Sequence, residues 1–598
     1  MQQPGYTVVT ARILLLFGLL AILVTWPLAL HLGTQVIGPF RGDNLEYVWK
    51  IWWVKHALLD LNQSPLVQPD IYYPFGYPLA YGEITPSHTY LGLPLTALLG
   101  PVATYNLFIL VSFALTGLFT VLLVRRLTGS TPAGLVAGLI LAYCPYRMAR
   151  IAGNLPLIDT QWLPLVLLFL ERYADRRRWP DAVGAGLGVA ASALSSWYYA
   201  AALGLLLPVY VVARFRLLGG QRWRFWLTGG LACVLAAVLP LIPFLIPYLS
   251  VQQAGEASTP LEQAAFWSAS LTDYLTPNPR HFVWGNWVTE RLVFYPGGLP
   301  YEFILGWGLV STVLALYGWR RGRETTVRGW LPWTAVAVLL SLGPVFTLFD
   351  KLVTLPAPAA AAQTINETLT WLGRRSLAGE PYLSAPPGRF VVPLPALLLR
   401  WFVPGFVGMR SWGRLSILAT LGVAVLAGIG VDAFLRGELE HKPTRRSGLR
   451  KWSAAVLLAG LIFFEFYTGP QALITPGPRP VDLWLASQPR RTTLVQMPLV
   501  SALSGPQMYY TMHHGQRIIS GYGTYLPILF EANYPELLDF PSDESIDVLA
   551  SWPGGGVETI LIDESDVPAG DSLWQAVAVQ SRLQLEAIVG SVAVYRLK

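Results

Sequence analysis

Apolar residues gather in long runs near 11–31, 104–124, 131–146, 157–171, 181–199, 200–213, 226–249, 302–318, 330–349, 411–435 and 452–468. A straight helical span needs about 20 apolar residues, so the pattern predicts about eleven spans, with the shorter ones tilted or borrowing flanking residues. No small-residue cleavage site follows the first run, which reads as a retained span. Beyond about residue 470 the pattern changes. Short β-rich stretches at 492–500, 517–522, 557–563 and 583–597 alternate with helical patterns around 526–550 and 571–580. The fold class expected is an all-α polytopic membrane domain over 1–469 followed by a soluble α/β domain over 470–598.

Between the first two runs lies a segment, about 32–103, that is not a span. At about 100° per residue, a helix over 42–56 places Asp43, Glu46, Tyr47 and Lys50 on one face. Leu45, Val48, Trp49, Trp52 and His56 take the other. Aromatic rings favour the headgroup level, so this helix is expected to lie on the membrane with its acids aimed away from the acyl chains. A Pro/Gly/Tyr-rich stretch at 69–78 and a second short amphipathic segment at about 87–100 complete a long structured loop.

Composition agrees with the pattern. Hydrophobic residues make up 53% of 598, charged residues only 13%, and mean hydropathy is +0.46. These values exclude an ordinary soluble protein. Basic residues collect at Arg125 and Arg126, at Arg172 and 176–178, from Arg214 to Arg224, from Arg320 to Arg328 and from Arg436 to Lys451, all in alternate loops. Because positive residues near span ends are retained in the cytoplasm, the amino terminus is placed inside. Loops 32–103, 250–301 and 350–410 and the carboxy-terminal domain are placed outside, in the plasma membrane of the cell. The net charge of +7 is therefore topology and not a sign of nucleic-acid binding. Residues 470–598 are acidic, with thirteen Asp/Glu against seven Lys/Arg. Cys144 and Cys233 both fall in apolar segments, so no disulfide framework is indicated.

No phosphate-binding glycine loop, dinucleotide fingerprint or paired-cysteine metal motif occurs, which disfavours nucleotide-driven chemistry. The polar residues that topology gathers outside are Asp43, Glu46, Asp70, Glu83 and His88 in the first loop, Asp273, Arg280, His281 and Glu302 near the second, and Arg410 and Arg414 at the third. Arg147 and Arg150 also fall outside, against the positive-inside trend, which marks them for function. Several readings stay open on the residues alone. Asp43 is either a chemical group or a helix cap, with Glu46 three residues on completing a capping box. Trp49, Trp52 and Trp53 fit interfacial anchors better than sugar platforms. Arg410 and Arg414 fit phosphate binding and snorkelling equally well. Asp70 suits a turn, a second substrate or a divalent ion. His56 and His88 read as interfacial or packing residues. His513 and His514, with Asp543, Glu544 and Asp547, read as solvated surface with a metal or acceptor site as the alternative. Asn366 and Thr368 fit a glycosylation acceptor pattern.

Several stretches carry a resemblance that covers nearly the whole chain. They are Gly42 and Asp43 directly after the first span, Tyr72 to Gly76 (Tyr, Tyr, Pro, Phe, Gly), and 146–154 (Tyr146, Arg147, Arg150, Gly153, Asn154) before Trp162 to Leu165. Leu342 to Pro344 and 403–414, with Gly405, Arg410 and Arg414, before Leu426 to Gly428 complete the set. Together they resemble the GT-C superfamily of polyprenyl-phosphate-sugar-dependent glycosyltransferases, within its large bacterial branch. The resemblance implies a membrane hexosyl- or pentosyltransferase of glycan biosynthesis at the cell envelope. It would attack the anomeric carbon of a sugar on a polyprenyl phosphate, transfer it to a lipid, glycan or protein acceptor outside, and invert the anomeric centre. Asp43 matches the general base, with Glu46 beside it, and Arg147, Arg150, Arg410 and Arg414 would hold the donor phosphate. Asp70, Tyr73, His88 and Glu302 would bind substrate. No cofactor is required, and a divalent metal is left open because no ligand cluster forces one. The competing class is a transporter, or a non-catalytic membrane protein that displays an external binding domain. Transport favours ionisable groups at mid-membrane depth, whereas polar groups here gather at one face, although Pro240 to Pro247 fits a broken span.

Overall fold

The computed structural model describes residues 4–82, 84–215, 223–253, 258–292, 300–349, 351–437, 445–523, 526–568 and 570–598. Its contacts divide the chain into two compact units. The first comprises Met1–Pro27, Ile109–Ile151 and Leu155–Gln471, and the second Leu28–Phe108, Ala152–Asn154 and Ala472–Lys598.

Helices lie on the apolar runs. Among the described residues, four are long and apolar enough to cross a membrane: Pro101–Thr128, Trp197–Phe215, Arg224–Pro247 and Trp412–Gly437. Other helices occupy the remaining runs, among them Pro4–Val24, Thr131–Tyr143, Trp162–Arg176, Trp179–Ser195, Leu309–Arg321, Trp330–Ser341 and Arg445–Phe466. The segment 223–253 breaks into a 3-10 turn at Leu239–Leu241, where Pro240 offers no backbone N–H to continue the ladder. Ser416–Gly437 is the central helix of the first unit, buried from Ser416 to Asp432. It crosses Leu309–Arg321 closely at Gly318 and Gly430; a Cβ on Gly318 would stand 2.0 Å from the Leu426 carbonyl oxygen.

The second unit is built on a five-stranded mixed sheet. Its order is Arg517–Ile518, Thr493–Met497, Thr559–Asp563, Val592–Leu597, Leu583–Val589, with the first three parallel and the last two antiparallel. Thr493–Met497 and Thr559–Asp563 are buried along their whole length, as central strands covered on both faces must be. The helix Ser501–His514 makes the crossover between the two parallel strands it joins. The stretch 583–597 forms two strands turned at Gly590, whose φ of +65° suits glycine.

Residues of the first loop belong to this same unit. The Tyr72 and Tyr73 N–H groups donate to the carbonyls of Ser520 and Ile518, and the Ile518 N–H donates to Asp70, so 70–73 extends the sheet edge. Val36–Ile37 pairs antiparallel with Leu473–Ile474. The compact unit thus takes in more than the 470–598 segment expected to fold alone.

The helix expected over 42–56 forms as Asn44–Lys55 and continues into a π-turn, His56–Asp60. Its surroundings differ from the expectation. Every residue from Asn44 to Ile51 is buried, as are Trp53 and Val54, and the helix packs on Ser501–His514, Pro86–Thr89 and Leu93–Leu99. Two features explain why the amphipathic pattern misleads. Glu46 and Lys50 neutralise each other as a buried ion pair. The indole N–H groups of Trp49 and Trp53 donate to Thr511 Oγ1 and to the Pro65 carbonyl, so both rings are core residues and not interfacial anchors.

One pH dependence follows from this unit. His514 is buried and accepts the Gln516 N–H at Nδ1. Burial, then Arg479, His513 and Arg491, draw its imidazole from 6.5 down to about 3. The unfolded chain therefore binds this proton more readily, and the stability present above pH 6.5 is lost as pH falls from 6.5 toward 3, by about 1.4 kcal/mol per pH unit at most. Urea unfolding of the detergent-solubilised protein is expected to weaken over that window, with the slope reduced in His514→Gln.

Candidate functional site

In the second unit, Asp43 stands at the start of Asn44–Lys55 and does not use its side chain to cap the helix. The carboxylate instead accepts two hydrogen bonds, Asn154 Nδ2 to Oδ2 at 2.8 Å and Tyr522 Oη to Oδ1 at 2.6 Å. Asp43 is half-buried, and each oxygen keeps a free lone-pair direction for a further donor. The capping-box reading therefore fails, since the carboxylate is turned away from the helix amides.

The other first-loop candidates are committed elsewhere. Glu46 is 6% exposed and paired with Lys50. Asp70 pairs with Arg491 at 2.7 Å. The Tyr73 ring lies under the Arg517 guanidinium, 4.6 Å from its centre, while its carbonyl accepts the Trp552 indole N–H. His88 is fully buried, edge-on to Phe108, with Ser87 Oγ 3.2 Å from Nδ1. These contacts give Glu46, Asp70, Tyr73 and His88 structural work in the unit. Glu83 lies outside the described residues.

The first unit holds a cationic cluster. Arg150 ends the short helix Pro145–Arg150 and Glu302 sits in the turn Pro300–Phe303, before the helix at 309 and not inside a span. Arg150 Nη2 donates to Glu302 Oε2 at 3.0 Å, Arg414 Nη2 to Oε1 at 2.8 Å. Arg150 also stacks 3.5 Å over the Tyr146 ring and donates to the Tyr146 and Tyr301 carbonyls. Tyr146 Oη bonds Tyr199 Oη and the Arg414 carbonyl, so a buried tyrosine pair fixes the arrangement. Burial pushes the Glu302 carboxyl up, but Arg414 and Arg150, with Arg410 further off, overcome it and hold it from 4.5 down to about 2. Arg410 is half-buried against Trp267, its guanidinium 5.7 Å from the ring centre. Among the described residues it makes no hydrogen bond or ion pair. Two guanidinium groups thus share one carboxylate, with Arg410 acting on it only through space, and the excess positive charge suits a phosphate.

Arg147 is different. It is fully buried and donates to the carbonyls of Ala142 and Ile158 and to Ser112 Oγ, with Phe113 stacked at 4.2 Å. Its donors satisfy carbonyls at the end of Thr131–Tyr143 and leave it a scaffold role. Near the second loop, Asp273 accepts the Ser270 N–H, His281 stacks on Trp284, and Arg280 holds the Ala149 carbonyl. Asn366 lies within the helix Ala359–Arg374 and donates to the Arg389 carbonyl, so it is not on the open loop a glycosylation acceptor needs. Among the described residues no three His, Cys, Asp or Glu side chains converge as a metal site, His513 and His514 included. The residues present do not by themselves fit a divalent ion.

Sequence reasoning missed Tyr522 and the partnership of Asn154 with Asp43, although Asn154 lay in a stretch already singled out. Tyr198 and Tyr199 around Arg150 and Arg414 were also missed, as was the role of Tyr146, which lay in the same singled-out stretch as Asn154. Only the Gly-Tyr-Gly of 521–523, a ring held between two small residues, offered a signal.

The fold has solved counterparts. It is similar to the mycobacterial arabinofuranosyltransferase AftD, with a TM-score of 0.55 and 14% identity over 98% of this chain and 40% of that one. It is also similar to the oligosaccharyltransferase of Archaeoglobus fulgidus, with a TM-score of 0.50 and 12% identity over 93% of this chain and 69% of that one. This chain therefore spans two-fifths of the arabinofuranosyltransferase. No curated protein matches by sequence. The fold is thus shared with an arabinofuranosyltransferase and an oligosaccharyltransferase. The family described as a domain of unknown function, DUF6311, matches residues 15–373, and the chain belongs to that family.

Proposed function

We propose that the chain is a membrane glycosyltransferase that moves a hexose or pentose from a polyprenyl-phosphate donor to a lipid, glycan or protein acceptor outside the cytoplasm. The observation that carries this reading is the cationic cluster of the first unit, where Arg150 and Arg414 pair with the single carboxylate of Glu302 and Arg410 acts on it through space. The fold shared with two glycosyl-transferring enzymes supports it. In the reaction proposed, the Asp43 carboxylate takes the proton of the acceptor hydroxyl as that oxygen bonds the anomeric carbon. The bond from the anomeric carbon to the phosphate oxygen breaks on the opposite side, its electron pair stays with the phosphate, and the centre inverts. In the first unit, Arg410 and Arg414 are proposed to bind the phosphate of the lipid donor. In this reading about eleven helices span the plasma membrane, the amino terminus is cytoplasmic, and loops 32–103, 250–301 and 350–410 and residues 470–598 face outward.

Arg410 gives the sharpest test because it makes no pair that its removal would break. Arg410→Ala is expected to weaken binding of polyprenyl phosphate by the purified protein about tenfold or more, with thermal stability retained. Unchanged affinity would count against Arg410 as a phosphate holder.

A further inference from the structure

Tyr522 lies 479 residues from Asp43 in the chain, yet its hydroxyl makes the shorter of the two hydrogen bonds to that carboxylate. The contact is built with care on the tyrosine side. A Cβ on Gly521 would stand 2.5 Å from the Tyr72 ring, and one on Gly523 would fall onto the Tyr77 hydroxyl, 1.5 Å away. Both neighbours of Tyr522 must therefore be glycine for the segment to seat against Tyr72 and Tyr77. Those two rings are themselves buried and in contact, with centroids 5.3 Å apart. The Tyr72 N–H donates to the Ser520 carbonyl, which fixes the segment from its other end. Asn154 holds the second carboxylate oxygen from a separate stretch of chain.

We infer that Tyr522 is a positioning residue for Asp43: with Asn154 it clamps the carboxylate in one rotamer and aims it, so the carboxy-terminal segment takes part in the transfer step and not only in acceptor choice. This inference rests on the reading of Asp43 as the base. Two donors, one on each oxygen, remove the rotational freedom that a half-buried aspartate otherwise keeps. A hydroxyl from the acceptor then meets a fixed oxygen.

The test uses full-length protein in membranes, polyprenyl-phosphate sugars extracted from the source cells as donor, and release of polyprenyl phosphate as the readout for kcat and donor KM. Tyr522→Phe removes only the donor. It is expected to lower kcat about tenfold and leave donor KM unchanged. Asn154→Ala is expected to act in the same direction. Tyr534→Phe is the control, because it removes another tyrosine hydrogen bond of the same unit, Oη to the Leu499 carbonyl at 2.9 Å. If Tyr522→Phe keeps the wild-type kcat, or lowers it no more than Tyr534→Phe does, the positioning role is overturned while the base assignment stands. If Asp43→Asn retains transfer, the base assignment itself falls, and the positioning role with it.

Discussion

Asp43→Asn is expected to lower sugar transfer by about 10²- to 10⁴-fold while leaving the protein folded in the membrane. An amide has almost no basicity, so the acceptor hydroxyl would have to attack with its proton still in place. The fold should tolerate the change because Asp43 does not cap its helix and, among the described residues, takes part in no ion pair that the substitution would orphan. What is lost is the charge on one of two hydrogen-bonded oxygens, worth about 1 to 3 kcal/mol in stability. Asp43→Ala should be equally inactive. Circular dichroism and the yield of folded protein from membranes separate the two effects, since a residue that merely held the loop would fail in both.

Glu302→Gln is expected to do the opposite and attack stability first. Its carboxylate is the shared partner of Arg150, which is fully buried, and of Arg414, which is mostly so. Removing one member of a buried ionic group leaves the others uncompensated, at a cost of about 3–5 kcal/mol. The midpoint of thermal unfolding in detergent should fall accordingly, and added polyprenyl phosphate should restore part of it by supplying the missing negative charge. Acid should mimic the substitution. Glu302 is held at about 2 against an ordinary 4.5, so its contribution is complete above pH 4.5 and is lost as pH falls toward 2. A Glu302→Gln variant with wild-type stability would mean that the arginines find other partners.

Much of this was legible in the chain. Apolar runs marked the helices because a bilayer imposes a length that composition must meet. Arg150 stood out as a cation on the wrong side, and Glu302 as an acid with cations to answer, and the two are in fact paired. The helix over 44–55 was read at the right place but in the wrong surroundings. A period of 3.6 shows which residues share a face, yet it does not reveal that Glu46 and Lys50 cancel and that both faces are covered. Tyr522 could not be read at all. Its partner lies in another stretch of chain, and such pairing leaves no local pattern beyond the two small residues beside the ring. The union of the first loop with the carboxy-terminal strands was hidden for the same reason, since 70–73 joins the sheet through backbone groups that every residue possesses.

The central claim is that this chain forms a new glycosidic bond, with Asp43 as the base. It is tested most directly by replacing the chromosomal copy with wild type, Asp43→Asn or Asp43→Ala and measuring polyprenyl-phosphate-linked sugars and surface glycans by mass spectrometry. Both variants are predicted to accumulate the lipid-linked sugar and to lose one sugar from a surface glycan, lipid or protein, with the protein present in the membrane at its normal level. Intact surface glycans and an unchanged lipid-linked pool in both variants would contradict the account.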